Sequence, residues 1–584
     1  MKNLLSSRQL ITLIINRMHL NFQQHLVYVK DFQKLRSTFQ LLFIGIFISN
    51  LTFAQDSSIF DIVWGEKIET EIEYEIFRTV HLNESGESYH LFTKGKYLKL
   101  VKFNRNGEFI NDCLVIDKRD KLKYQDLIIF QNKPILITSY LDRSGGTNTY
   151  YYQFLDFENM KLTGERSEMI KLKSEQKKSK IKRFTLEQAM NIGEYLPIQS
   201  EYTDMTPIMG SLKISRIDKC YRRFSPDGAT MILLLHDAYM DSSLIKRTHT
   251  ITCRINGDDL QICKSTMIVK NHDLAEFTCT DNGKPVLAYI DDNNVTVNLF
   301  DQSGELSNSQ NFEIAEKVLI SPLLCFKNNE LIIAAFYSHD RYKWTDGVLL
   351  KKYNYLTQEL SSCLDYSFTI DFHLDKYSKE ERDSIIKDMQ EGKPFKREFR
   401  PRLMNILFHS TGDITLVAEK ISKTDDWGGI SYKLGDIVLI RLSKDSELEW
   451  IKSIEKNHRK EILSPDEAIF LKMMDSSKKE ATKYASFGLI QRDTILYFFL
   501  HGNNAWVESN SLQSGDVTIN PKIGSFVYII KLEEDGSQTQ DLFIIPQEEK
   551  VRFNPVNIFD SGSNETVILS KISYNMKLAY IRLH

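Results

Sequence analysis

The chain has 584 residues, of which 42% are hydrophobic, 26% charged and 11% aromatic, including 34 Phe and 26 Tyr. This is the composition of a globular β protein with a large core, and it excludes an intrinsically disordered chain. Residues 1–54 hold six basic residues and one acidic one, so without them 69 Lys and Arg face 77 Asp and Glu, a formal charge of about −8 that removes the usual electrostatic basis for nucleic-acid binding.

The first predicted element is a targeting segment. Lys34 and Arg36 precede the apolar run Phe39 to Ile48, and Thr52 and Ala54 place small residues before a cut at Gln55. A run of this length is too short to cross a bilayer core of about 30 Å as a helix. Residues 1–54 are therefore expected to be a cleaved secretory signal, with the true start at Met18 or later, leaving 55–584 as a single periplasmic or secreted domain. No cysteine near the cut is available for lipid attachment. No later run of eighteen apolar residues predicts a transmembrane helix.

Seven hairpins follow. Each is a short apolar run, a brief polar turn and a second apolar run: Leu127 to Leu141, Arg222 to Leu235, Glu276 to Ile290, Leu323 to Tyr337, Asn405 to Glu419, Gly488 to Leu500, and Val556 to Ser570. Turns this short join only antiparallel neighbours. A second strand–turn–strand element recurs at Tyr97 to Ile116, Val295 to Ile314, Gly435 to Ile454 and Phe526 to Ile545, and more loosely at Tyr150 to Met169 and Val348 to Phe368. The two elements together give about four strands per repeat. Insertions with helical character are predicted near 171–210, 371–402 and 455–486. In the second, Ser378 to Glu381 forms a capping box, Ile385, Ile386 and Met389 supply an apolar face, and Gly392 with Pro394 ends the helix.

Several strands, such as Met231 to Leu235 and Leu331 to Phe336, are apolar on both faces. Antiparallel sheets greasy on two sides shield one another when stacked radially, so the predicted fold is an all-β propeller of six to eight blades, seven preferred, with short helical insertions. The strands of Tyr97 to Ile116 are expected to complete the C-terminal blade and close the ring.

Phe224-Ser225-Pro226-Asp227-Gly228 resembles the hairpin of periplasmic WD40-like propeller repeats. The segment Gly435 to Leu442 through Glu449 to Lys452, with a signal ending at Ala54, is similar to exported propeller-type proteins of gram-negative bacteria that have no assigned activity. The resemblance implies the fold and an exported location, and transfers no functional residue.

The seven cysteines show neither a C-x-x-C pair nor zinc spacing. Cys253 and Cys263 flank Asn256-Gly257; a three-residue loop sets them opposite each other for a disulfide, whereas a two-residue loop separates them. G-x-S-x-G, H-E-x-x-H, G-x-x-x-x-G-K and G-x-G-x-x-G are all missing from the sequence, so no catalytic residue, cofactor or metal is predicted. Asp142 to Gly146 and Asp301 to Glu305 read as hairpin turns rather than calcium loops. The basic run Lys171 to Arg183 reads as a solvated linker rather than an anionic-surface site.

Trp344, Trp427 and Trp506 each follow the second strand of successive hairpins and sit on one class of loop, which propeller geometry brings to one rim. They are the candidate ligand or partner surface, with Arg341, Asp346, Asp425, Asp426, Asn503 and Asn504 as polar neighbours. The alternative is that each indole packs on its own blade. The predicted function is a noncatalytic scaffold or recognition module for a protein or glycan of the cell envelope. The alternative is a propeller hydrolase of carbohydrate or peptide, with acidic residues dispersed over several blades.

Overall fold

The structure is a computed structural model that describes residues 59–584 apart from 66–67, 70–74, 83–84, 95–96, 118–120, 143–145, 174–220, 241–245, 258, 271–273, 292–293, 315–316, 340–344, 375–378, 392–400, 427–428, 457, 464–486, 503–516, 519–525, 545–557, 561–564 and 573–574. The chain divides into two compact units, Met1–Asp61 with His584, and Ile62–Leu583. In the first, the His584 N–H donates to the Ile59 carbonyl at 2.9 Å, and the His584 ring lies 3.0 Å from an Asp61 carboxylate oxygen. The signal region predicted at 1–54 lies outside the described residues.

The second unit is a β-propeller of eight sheets. The first blade orders its strands Glu75–Leu82, Ser88–Lys94, Tyr97–Phe103 and Phe109–Ile116 from inside outward. The next four blades repeat that pattern over 123–173, 221–270, 274–313 and 318–367. The sixth spans 401–463, the seventh 487–544, and the eighth holds Ile558–Asp560, Glu565–Ile572 and Asn575–Leu583. Innermost strands of neighbouring blades touch: Val318–Lys327 lies against Leu274–Cys279 on one side and Pro401–Phe408 on the other. Ile558–Asp560 touches both Phe487–Arg492 and Glu75–Leu82, which closes the ring.

Burial explains the stacking. Side chains alternate across a strand, so the second strand of each blade feeds two interfaces. In the fifth blade Ile332, Ala334 and Phe336 enter the core shared with the sixth blade, while Leu331, Ile333, Ala335 and Tyr337 enter the core shared with the fourth. Each of the larger ones, Leu331, Ile332, Ile333 and Phe336, contributes on the order of 2 kcal/mol when removed from water. Met231 to Leu235 is buried in the same two-sided way.

All seven predicted hairpins are present, as the inner pairs of the second to eighth blades. Their tight turns use left-handed backbone at Gln131 and Asn132 (φ 48° and 61°) and again at Asn328 and Asn329 (48° and 63°). Two such residues in sequence give the turn whose twist matches a hairpin. The count is eight blades, within the expected six to eight and one more than the seven preferred. The hairpin passed over is Glu75–Leu82 with Ser88–Lys94, whose first strand is broken by two bulges and carries no continuous apolar run.

Two further expectations are corrected, and the loop length left open between Cys253 and Cys263 is fixed. Tyr97–Phe103 and Phe109–Ile116 build the outer half of the first blade and do not complete the last one. That blade is completed by the segment from Ile62 to Glu69: the Gly65 N–H donates to the Leu578 carbonyl at 2.9 Å, and Ile68 pairs with Met576. The helix Lys379–Gln390 forms where predicted, but Ile386 and Met389 are exposed rather than packed. Cys253 stands opposite Ile262 while Cys263 stands opposite Thr252, because Asn256 pairs with Asp259 across a two-residue loop. The two cysteines are thus one register position apart and do not face each other across the pair. No helix among the described residues is long and apolar enough to cross a membrane.

Candidate functional site

The two ends of the ring differ. At one end, the hairpin end, the connections among the described residues are tight turns, such as 131–132, 225–230, 280–284 and 409–413 within inner pairs and 104–108, 301–305, 443–447 and 533–537 within outer pairs. The long connections 174–220, 368–400, 455–486 and 503–525 all begin and end at the opposite, connection end.

The hairpin end is laced from blade to blade. The Asp227 N–H donates to Asp281 at 3.0 Å, Arg254 donates to the Asp281 carbonyl at 2.6 Å, and the Lys352 ammonium donates to the Lys444 carbonyl at 2.9 Å. The Gln491 amide donates to the Phe408 carbonyl at 2.7 Å, and the Trp450 indole donates to the Glu534 carbonyl at 3.0 Å. Across the closing seam, the Tyr580 hydroxyl donates to the Asn104 carbonyl at 2.7 Å and lies 2.9 Å from Ser88 Oγ, which bonds the buried His90 ring at 2.8 Å. Turns whose polar groups bond one another form a rim of satisfied groups.

At the connection end, all four strands of the fifth blade converge on one polar cluster. Lys317 precedes the inner strand, Tyr337 lies at the end of the second and His339 just after it, Asp346 just precedes the third, and Asp365 and Ser367 lie at the end of the fourth. The Lys317 ammonium bonds the two Asp365 oxygens at 2.7 and 2.8 Å and sits 3.7 Å from the centre of the Tyr337 ring. Tyr337 in turn bonds Ser367 at 2.9 Å. Burial opposes the charge on Lys317, but Asp365 and Tyr337 outweigh it and hold its pKa above the usual amine value. The same contacts, assisted by the nearby His339, overcome burial at Asp365 and hold its carboxyl below the usual range. Burial raises the Tyr337 phenol. Asp346 accepts the His339 N–H at 2.8 Å and lies 3.1 Å from ring Nδ1, so an imidazole that is 62% exposed is held by a carboxylate that is 19% exposed. Charged, aromatic and imidazole groups are thus fixed in place on an accessible face.

Gly347 makes this cluster possible. A Cβ there would stand 2.3 Å from the Tyr366 carbonyl oxygen and 2.4 Å from the Tyr337 ring. Gly347→Ala is expected to push Tyr337 off Ser367 and lower the unfolding free energy by about 1–3 kcal/mol in urea denaturation. An unaltered midpoint would show that the ring does not lie across the glycine.

The sixth blade carries a second cluster. Its second and third strands, Ile414–Asp426 and Gly429–Leu442, bulge at Lys420 and run on past it; His458–Leu463 and Val517–Thr518 add to that extension. At its root the side chain of Lys456 is 0% exposed and contacts Glu419, 3% exposed, while Asp436 accepts the Lys456 N–H at 3.1 Å and pairs with Lys420. Burial pushes the Lys456 ammonium pKa down, against the pull of Glu419.

Carboxylates do occur on inner strands of separate blades, as the hydrolase alternative requires. Asp126 of the second blade pairs with Arg222 of the third, and Arg223 of the third pairs with Glu276 of the fourth at 2.9 Å. Each acid is held by an arginine of the intervening blade, so this set ties three blades together. Among the described residues, no group of three or more His, Cys, Asp or Glu is placed to hold a metal ion. Asp301 accepts the backbone N–H groups of Ser303 and Glu305, each at 2.9 Å, as a hairpin turn does.

Trp344, Trp427 and Trp506 lie outside the described residues, as do Arg341, Asn503 and Asn504. In sequence they fall between the second and third strands of the fifth, sixth and seventh blades. Asp346 holds His339 as above, and Asp425 and Asp426 end the strand Ile414–Asp426. Of the basic run, Lys171 and Lys173 end the strand Lys161–Lys173, and 174–183 lies outside the described residues. Lys317, Tyr337, His339, Asp365 and Ser367 were not candidates from the sequence; the only signal was their position at strand ends of one blade.

No protein-family model matches the chain, and no curated protein matches it. Solved structures similar to it include the WD40 domain of SCAP from fission yeast, at 9% identity over 90% of this chain and 99% of that one, with a TM-score of 0.37. Prolyl oligopeptidase B from Galerina marginata is 9% identical over 85% of this chain and 55% of that one, with a TM-score of 0.34. A protein of unknown function from Bacteroides caccae is 9% identical over 63% and 94%, with a TM-score of 0.23. Likenesses at this level carry no statement about activity, and the propeller assignment rests on the eight sheets themselves.

Proposed function

We propose that the protein is an exported, noncatalytic propeller whose connection end recognises a protein or glycan of the cell envelope. The observation that carries this reading is the asymmetry of the ring: one end consists of turns bonded to one another, and every long connection leaves from the other. A rigid scaffold that collects its variable connections on one face is the usual arrangement of a binding surface. The fifth-blade cluster offers fixed polar contacts there, and Trp344, Trp427 and Trp506 supply aromatic area on connections of the fifth, sixth and seventh blades. Export rests on the apolar segment ending at Ala54 and on the resemblance to exported propellers.

Replacing the three tryptophans with Ala, or His339 with Ala, is expected to weaken capture of the partner from envelope extracts by at least about tenfold, the scale of a hot-spot loss. Replacing Gln302 at the hairpin end should leave capture intact. Equal capture by all of these variants would defeat the proposal.

A further inference from the structure

We propose that Lys456 and Glu419 are joined, after folding, by an intramolecular amide bond that staples the exit of the sixth blade's outer strand to its second strand. The two residues are 37 positions apart, and the Lys456 ammonium nitrogen is in direct contact with a Glu419 carboxylate oxygen. The pair is shut from water, with side chains 0% and 3% exposed. Phe487 of the seventh blade stands over it, ring centre 5.5 Å from the nitrogen, and Ile437, Ile454 and Phe487 are all buried in the surrounding core. Asp436, the other acidic group beside Lys456, is engaged by the Lys456 backbone N–H and by the Lys420 ammonium. Glu419 is therefore the acceptor.

The chemistry needs no reagent beyond the two side chains. In the step the ammonium hands one proton to the carboxylate oxygen it touches, which gives an amine beside a carboxylic acid in a site without water. The amine lone pair then bonds to Glu419 Cδ, the bond from Cδ to the protonated oxygen breaks, and that oxygen leaves as water with the second amine proton. Both reactants are fixed in contact, a situation in which effective concentrations reach about 10⁵ M or more. A dry pocket also protects the product from hydrolysis. Such a bond would anchor the point where connection 455–486 departs, at the end of the ring that carries the long connections.

The test is the mass of the folded, full chain, with its N-terminus taken from the peptide map. The expected result is a protein lighter than its sequence by one water, a tryptic peptide containing Lys456 joined to the one containing Glu419, and no cleavage after Lys456. Lys456→Arg, which keeps the positive charge but cannot condense, should have the full mass of its own sequence. If that variant fails to fold, the wild-type map decides alone. A wild-type chain at full mass, cleaved after Lys456 and acetylated on it once denatured, would mean an ion pair only and would overturn the proposal.

Discussion

Lowering the pH from 6.5 toward 3 is expected to cost the folded protein on the order of 4 kcal/mol through His90 alone. Burial pushes the pKa of this imidazole from its ordinary 6.5 down to about 3. Below pH 6.5 the unfolded chain therefore takes up a proton that the folded protein refuses. The stabilisation due to the neutral ring is complete above 6.5 and is lost as the pH falls through that window, at on the order of 1 kcal/mol per pH unit. His90 packs edge-on to Phe103, with ring centres 5.3 Å apart, and bonds Ser88, which bonds Tyr580. Protonation therefore acts on the seam between the first and eighth blades, where the ring is joined by strands from distant parts of the chain. Urea denaturation at several pH values should show a shallower acid slope for His90→Gln than for the wild type. Parallel slopes would mean that His90 is not held neutral in the fold.

The second large effect is expected at the centre of the ring. Arg223→Met should destabilise the protein by about 3–5 kcal/mol, because it strands the Glu276 carboxylate, which is 2% exposed, without its counter-charge. Adding Glu276→Leu should recover most of that loss, since a well-packed apolar pair often matches a buried ion pair. The double variant should also bind the partner as the wild type does. If it folds normally but loses a measurable hydrolytic activity, then the inner-strand acids do chemistry and the dispersed-carboxylate alternative gains ground.

The hairpins were legible because two signals coincide in them: short turns such as Gln131-Asn132 that force antiparallel pairing, and flanking runs apolar on both faces. Where either signal weakens, reading fails. Glu75–Leu82 has polar residues scattered through its sequence and two bulges, so it shows no continuous apolar run and the sequence favours seven blades over eight. Loop length decided the cysteine pair: one residue fewer between Asn256 and Asp259 than a disulfide needs sets Cys253 and Cys263 one position out of register. Exposure of Ile386 and Met389 shows the reverse error, since an apolar stripe on a short helix says nothing about whether a partner surface reaches it. The fifth-blade cluster was hidden for a different reason. Lys317 and Asp365 are 48 residues apart and meet only because the inner and outer strands of one sheet end at the same level. Such a meeting depends on register across four strands, which no local pattern encodes.

One comparison bears most directly on the division of labour between the two ends. In a Cys363→Ser background, which removes an exposed thiol, a bulky polyethylene glycol maleimide attached at Ser303→Cys would crowd the hairpin end, and the same label at His339→Cys would crowd the connection end; both positions are exposed. Capture of the envelope partner should survive the first label and be abolished by the second. Loss of capture with the label at Ser303→Cys, and full capture with the label at His339→Cys, would contradict a binding face built from the long connections.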